Sequence, residues 1–293
     1  MQIQTVTFSE AKEGNAPGEW QDAASGGVIT DPAGYPVAAR FIVLDGATTA
    51  YDPLRWVDQL VTSFTSPPGA GPGPGTGPRP GAGPGPGAAP EPGGPQLEAA
   101  EMRDWFVRMQ ERWAAEPRSF GSIIEERKFA EVGSFATLLG FEITGLDGPE
   151  PSWRAVALGD TVLFHVRDSR AIAVFPAMGP DDFGTLPDGV HTLPAKLGRM
   201  TERLRFGHGA LRAGDFLFVA TDAMAQWILR AITREETKVW DVLGSLAHPG
   251  VFARLVADQR REQDGAKRLK NDDVTLLRLR MLAGQPAFLL ACR

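Results

Sequence analysis

Gly214-Asp215-Phe216-Leu217-Phe218-Val219-Ala220-Thr221-Asp222-Ala223 is the stretch on which the reading of the fold turns. Phe216 to Thr221 is an apolar run of strand length, which predicts a buried strand. It runs straight into Asp222. Met224, Trp227, Ile228 and Ile232 then recur at spacings of three and four, the pattern of one buried helix face. A buried strand that ends on a carboxylate presents a charged group at the rim of a rigid platform.

Working outward, most of the chain reads as further strands. Arg40 to Leu44 is a short apolar run ending at Asp45-Gly46, and Phe135 to Ile143 alternates. Trp153 to Leu158 and Thr161 to Val166 read as two strands joined in a hairpin at Gly159-Asp160. Val274 to Arg280 alternates after Asn271-Asp272-Asp273. Hairpins, and helices that do not alternate with strands, argue against a parallel βαβ fold. Antiparallel sheets with helices packed outside fit better.

Two helices are expected on either side of an unusual segment. Asp52 is placed to cap the first, with Pro53 at its first position, and Trp56, Val57, Leu60, Val61 and Phe64 line one face. Met102, Trp105, Phe106, Met109 and Trp113 repeat that pattern. Between them, Ser66 to Pro95 is almost wholly Gly, Pro and Ala. Its glycine period of two excludes a collagen helix. It has no large apolar side chain to offset the entropy of ordering, so a disordered insert in one domain spanning residues 1–293 is expected. A partner could dock on it. Its Gly-x-Gly matches are not a phosphate loop, because proline has no N–H to offer and no Gly-Lys-Ser/Thr follows.

The composition bounds the function. The chain has 293 residues, 43% of them hydrophobic, and a formal net charge of -6. That is the profile of a soluble protein with a sizeable core, and it does not favour a nucleic acid or an anionic membrane as partner. The N-terminus lacks the pattern of a signal peptide, and no apolar run is long enough for a membrane helix. The single cysteine, Cys292, makes neither an internal disulfide nor a structural zinc site. A cytoplasmic monomer is expected. His165, His191, His208 and His248 show no metal-ligand spacing, and no serine sits in a Gly-x-Ser-x-Gly elbow.

Four aspartates stand where strands begin or stop: Asp22, Asp45, Asp222 and Asp272. Each also has an ordinary account. Asp-Gly is a common turn dipeptide, Asp222 is a good helix cap, and Asp272-Asp273 suits a solvated loop. Hard divalent ions, however, take oxygen ligands, and a few carboxylates from distant segments with one backbone carbonyl suffice.

Their order and context resemble the protein phosphatase 2C family of metal-dependent serine/threonine phosphatases. Gln21-Asp22-Ala23 matches the family's Glu-Asp-Ala-like motif except for Gln21. Phe41-Ile42-Val43-Leu44-Asp45-Gly46 matches its strand ending in Asp-Gly. Gly133-Ser134-Phe135-Ala136-Thr137 is close to Gly-Ser-Thr-Ala. Gly159-Asp160-Thr161 resembles Gly-Asp-Ser, the opening stretch resembles a strand reaching Ser/Thr-Asp-Gly, and Asp272-Asp273-Val274-Thr275 resembles Asp-Asn-Ile-Thr.

The resemblance implies an α+β sandwich of two antiparallel sheets flanked by pairs of helices. It implies two Mn²⁺ or Mg²⁺ ions held by Asp45, the carbonyl of Gly46, Asp222 and Asp272, with Asp22 acting through metal-bound water. Asp160 is a candidate ligand for a third ion. The implied activity is hydrolysis of phosphoserine and phosphothreonine on a protein substrate by a water activated between the ions. Departures are visible. Asp45-Gly46-Ala47-Thr48 lacks the family's second glycine, and Ala223 stands where glycine is usual. Pro17 lies about where a phosphate-binding arginine is expected, leaving Lys12 and Arg40 as substitutes. A phosphatase-like scaffold with weak or no catalysis is the alternative.

Overall fold

The computed structural model describes residues 1–15, 19–31, 33–66, 94–184, 187–236, 238–263 and 266–291. Pro17 and residues 67–93 of the Gly/Pro-rich insert lie outside the described residues.

Two six-stranded sheets form the centre. The first holds β1 (Gln2–Glu10), β6 (Val162–Arg167), β7 (Arg170–Phe175), β10 (Phe216–Ala220), β13 (Val274–Leu282) and β14 (Ala287–Ala291), in the order β14-β1-β13-β10-β6-β7. The second holds β2 (Ala23–Thr30), β3 (Pro36–Gly46), β4 (Phe135–Thr144), β5 (Ser152–Leu158) and β9 (Arg205–Ala210), in that order, with β8 (Val190–His191) on the start of β4. The two-residue strands β11 (Glu262–Gln263) and β12 (Ala266–Lys267) pair separately. The pairings are antiparallel except that β14 runs parallel to β1, with Gln2 opposite Ala287. The chain reverses after β13 and passes to the free edge of β1, so the first sheet is mixed, not purely antiparallel.

Strand β10 shows why the decisive stretch is apolar without alternation. Leu217 and Val219 face the second sheet, packed with Phe41, Phe141 and Trp153. Phe218 and Ala220 face outward, under Ile228 of α5 (Asp222–Thr233) and Trp240 of α6 (Lys238–Ser245). Successive side chains of a strand point to opposite faces, and here both faces are covered. Helix α7 (Pro249–Arg260) adds Phe252 to that outer layer. On the other side, α1 (Pro53–Thr65) and α2 (Ala99–Ala115) cover the second sheet with Trp56, Leu60, Phe64, Trp105 and Phe106. Each fully buried large apolar side chain contributes about 1.5–3 kcal/mol. The short helices α3 (Ile123–Arg127) and α4 (Leu197–Arg203) precede β4 and β9. No helix among the described residues is long and apolar enough to cross a membrane.

Two local expectations are corrected. The segments flanking Gly159-Asp160 are not a hairpin: β5 pairs with β4 and β9, whereas β6 pairs with β10 and β7. The turn carries the chain from one sheet to the other. Gly159 has φ +111, and a Cβ there would stand 2.5 Å from the carbonyl of Asp188, so glycine is needed for the crossing itself. Asp52 is left-handed at φ 44 and its side chain makes no cap bond; only Pro53 behaves as expected at the helix start. Within the expected insert, Gly94 is described and donates its N–H to the Ser66 carbonyl at 2.9 Å. The residue that follows α1 is therefore tied by a backbone bond to the segment that leads into α2.

Candidate active site

One end of the sandwich gathers the ends of β3, β5 and β10 and the starts of β2, β6 and β13. Pairing fixes this: Ala23 lies opposite Leu44, Ala220 opposite Leu276, and Val162 opposite Ala220. Asp22, Asp45, Asp160, Asp222 and Asp272 are therefore brought to a common rim from five separate segments. Asp45 is the penultimate residue of β3, opposite Thr137, whose hydroxyl lies 2.7 Å from that of Thr161. Gly46 follows, and a Cβ on it would stand 2.7 Å from the Gln21 carbonyl. Glycine thus lets the Asp22 loop close against the end of β3.

The electrostatics follow from burial. Asp22 is 2% exposed, and burial pushes its carboxyl up to about 8, against the hydrogen bond it accepts from the Thr221 hydroxyl. Burial, then the charges of Asp22, Asp222, Asp160 and Asp272, hold Asp45 well above the ordinary carboxylate range. Asp160 is raised by burial and by Asp222 to about 7. Burial also raises Asp222, with Lys270 opposing. Like charges in a poorly solvated site favour protons or a cation.

Residues that the sequence reading passed over organise the rim. Asp273 accepts the backbone N–H groups of Lys12 at 2.8 Å and Gln21 at 3.0 Å, tying the β1–β2 connection to the start of β13. Arg260 is 3% exposed. It donates to the Ala11 carbonyl at 2.9 Å and to the Asp272 carbonyl, fixing the backbone that presents Asp272. Lys270 donates to Asp222 Oδ2 at 3.0 Å and pairs with Asp272 Oδ2 at 2.8 Å. The signal for Lys270 was its place just ahead of the Asp272 motif.

The two expected phosphate contacts separate. Lys12 stands at the rim, 3.9 Å from Asp272 Oδ1. Arg40 does not reach the site: it lies near the middle of β3, buried, paired with Glu142 at 2.7 Å and beside the Phe64 ring. Its side chain leaves the strand on the face covered by α1, so its role is to neutralise Glu142 under the helix layer.

The donor chemistry fits hard divalent ions, being all oxygen. Asp160 Oδ1 is buried without a hydrogen-bond partner among the described residues, as a carboxylate awaiting a cation or its water would be, and the amide oxygen Gln21 Oε1 is unpaired there as well. No group of three or more His, Cys, Asp or Glu among the described residues is drawn together as a finished metal cage. Lys270 stands between two of the carboxylates.

No family model and no curated protein matches the chain by sequence. Solved structures do match. The chain is similar to PppA, a key regulatory component of the T6SS in Pseudomonas aeruginosa, at 16% identity, covering 96% of this chain and 98% of that one with a TM-score of 0.52. It is similar to the Mycobacterium tuberculosis serine/threonine phosphatase PstP/Ppp at 12% identity, covering 96% and 99% with a TM-score of 0.53. The photosystem II phosphatase PBCP aligns at 12% identity over 96% and 100%, with a TM-score of 0.52. The fold is therefore that of the protein phosphatase 2C-type phosphatases. At these identities the likeness is one of architecture, and this chain is a divergent form of it.

Proposed function

We propose that the protein is a metal-dependent phosphatase that hydrolyses phosphoserine and phosphothreonine monoesters of a protein substrate. The observation that carries this reading is the convergence of five aspartates from five segments, with Asp22 buried, Asp45 half-buried and both raised, on the rim of a phosphatase fold. Asp45, the Gly46 carbonyl, Asp222 and Asp272 would hold two Mn²⁺ or Mg²⁺ ions, and Asp160 a third. When bound, the ions supply activation of a water and neutralise phosphate charge.

This chain's own residues then have assignable tasks. Asp22 is oriented by Thr221 and takes a proton from, or returns one to, water in the site. Arg260 and Asp273 hold the loops that present Asp272. Lys12 meets incoming phosphate at the rim, in place of the arginine that the sequence lacks near Pro17. The chain acts as one domain, a cytoplasmic monomer whose Gly/Pro-rich segment is a docking element.

One observation favours a second reading, a phosphatase-like scaffold that binds a partner without catalysis: the Lys270 ammonium between Asp222 and Asp272. Hydrolysis of p-nitrophenyl phosphate with and without Mn²⁺ separates the two. Turnover that requires Mn²⁺ and disappears in Asp45→Asn supports the enzyme. No turnover at any Mn²⁺ concentration supports the scaffold.

A further inference from the structure

Asp222 and Asp272 sit on different segments, one opening α5 and the other just ahead of β13. Their carboxylates are joined through a single cation of the chain itself. Lys270 Nζ lies 3.0 Å from Asp222 Oδ2 and 2.8 Å from Asp272 Oδ2. The remaining oxygens also have partners: the Ala223 N–H meets Asp222 Oδ1, and the Asp273 N–H meets Asp272 Oδ1 at 3.2 Å. Asp160 Oδ1, by contrast, is buried with no hydrogen-bond partner among the described residues. The centre is thus satisfied on the Asp222–Asp272 side and open on the Asp160 side. Lysine carries one compact positive charge on a flexible stem, and this side chain is about half exposed, so it has room to leave.

We propose that Lys270 is a built-in counter-cation of the carboxylate rim, which bridges Asp222 and Asp272 when no divalent ion is bound and which an entering ion must displace. This rests on the metal reading above and adds a property of this chain. Ion entry between these two carboxylates is an exchange of one cation for another, so the metal-free rim is held together and the apparent affinity is lowered.

Titration of Mn²⁺ into the chelator-treated full chain by calorimetry, with melting temperatures measured with and without Mn²⁺, tests this. The exchange predicts that Lys270→Met tightens the weaker Mn²⁺ step about three- to thirty-fold, the range expected from losing two partly exposed ion pairs. It also predicts a lower melting temperature in chelator and a larger rise on adding Mn²⁺. Lys270→Gln, which keeps a polar side chain without the charge, should show the same tightening if the methionine variant fails to fold. Unchanged Mn²⁺ affinity in both variants, with an unchanged chelator melting temperature, overturns the proposal. Asp222→Asn separates this from failure of the metal reading. If wild type and Asp222→Asn take up Mn²⁺ alike, Asp222 is not a ligand and the underlying reading falls. If Asp222→Asn loses a site while the Lys270 variants behave as wild type, only the counter-cation idea falls.

Discussion

Thr221 and Asp22, 199 residues apart in the chain, share a buried hydrogen bond of 2.9 Å from the threonine hydroxyl to the carboxylate. The same hydroxyl accepts the Thr275 N–H at 3.0 Å. One oxygen thus links the end of β10, the start of β13 and the loop that carries Asp22. Thr221→Val keeps the shape and removes both bonds. Hydrogen bonds to charged groups contribute about 1.5–3 kcal/mol, so we expect a comparable loss of stability in urea unfolding, with weaker Mn²⁺ binding. Stability within about 0.5 kcal/mol of wild type would show that water replaces the hydroxyl.

The pH dependence has a definite sign. Asp160 is raised to about 7 and Asp22 to about 8, both above the ordinary carboxylate value. In the metal-free protein each contributes stability that is full below about pH 4 and is lost as pH rises through those values. The slope is about 1.4 kcal/mol per pH unit for each titrating group. Chelator-treated protein should therefore melt at a falling temperature between pH 5 and 8.5, whereas Mn²⁺ should raise the melting temperature most at the alkaline end. A chelator melting temperature that climbs over that range contradicts the buried-carboxylate account.

Asp45→Asn should separate stability from function. The amide removes a half-buried carboxylate that its neighbours repel, so the chelator-treated variant should melt several degrees above wild type, in line with a gain of about 1–3 kcal/mol. Its Mn²⁺ response and any Mn²⁺-dependent phosphatase activity should vanish. A variant that melts lower than wild type in chelator would mean that Asp45 makes favourable contacts as a carboxylate.

At the opposite end of β10, Asp215 accepts two bonds of 2.7 Å from Arg167, one of 2.8 Å from the Arg212 N–H, and pairs with His165 Nε2 at 2.9 Å. His165 is held in turn by the Trp153 indole at 3.1 Å. Removing one member of a buried charge network typically costs about 3–5 kcal/mol. Asp215→Ala should lose that much in denaturant titrations, while Mn²⁺ affinity per folded molecule stays at the wild-type level. A change in Mn²⁺ affinity would reveal coupling along β10.

Replacing residues 67–93 by a short Gly/Ser turn should leave folding and metal binding intact, because Ser66 and Gly94 already meet through a backbone hydrogen bond. Loop-closure entropy changes by only about 0.6 kcal/mol for each halving of the loop's length. A fall of more than a few degrees in melting temperature would show that the segment contributes to the fold, and loss of a binding partner alone would give it a docking role.

How much of this was legible in the sequence depended on whether the deciding interaction was local. Helices α1 and α2 were visible because the Trp56–Phe64 and Met102–Trp113 patterns carry their own periodicity. The Asp45, Asp222 and Asp272 positions were visible because each closes or opens a strand. The crossing at Gly159-Asp160 was misread because the same Gly-Asp dipeptide serves a hairpin and a step between sheets; which strands it joins is fixed by partners elsewhere in the chain. Arg40 was read as a phosphate contact because sequence proximity to Asp45 says nothing about side-chain direction. Thr221 and Arg260 were missed for a related reason: their partners, Asp22 and Ala11, are far away in sequence. The parallel pairing of β14 had no local signal either.

That pairing sets a constraint on synthesis. Strand β1 lies between β13 and β14, so residues 2–10 gain both neighbours only once residues 274–291 have left the ribosome. At about 5–20 residues per second this interval is roughly 15–55 seconds. Throughout it, Ile3 and Phe8, destined for opposite faces of the first sheet, have no place to be buried. Slowing translation should lengthen that exposure without altering the finished molecule.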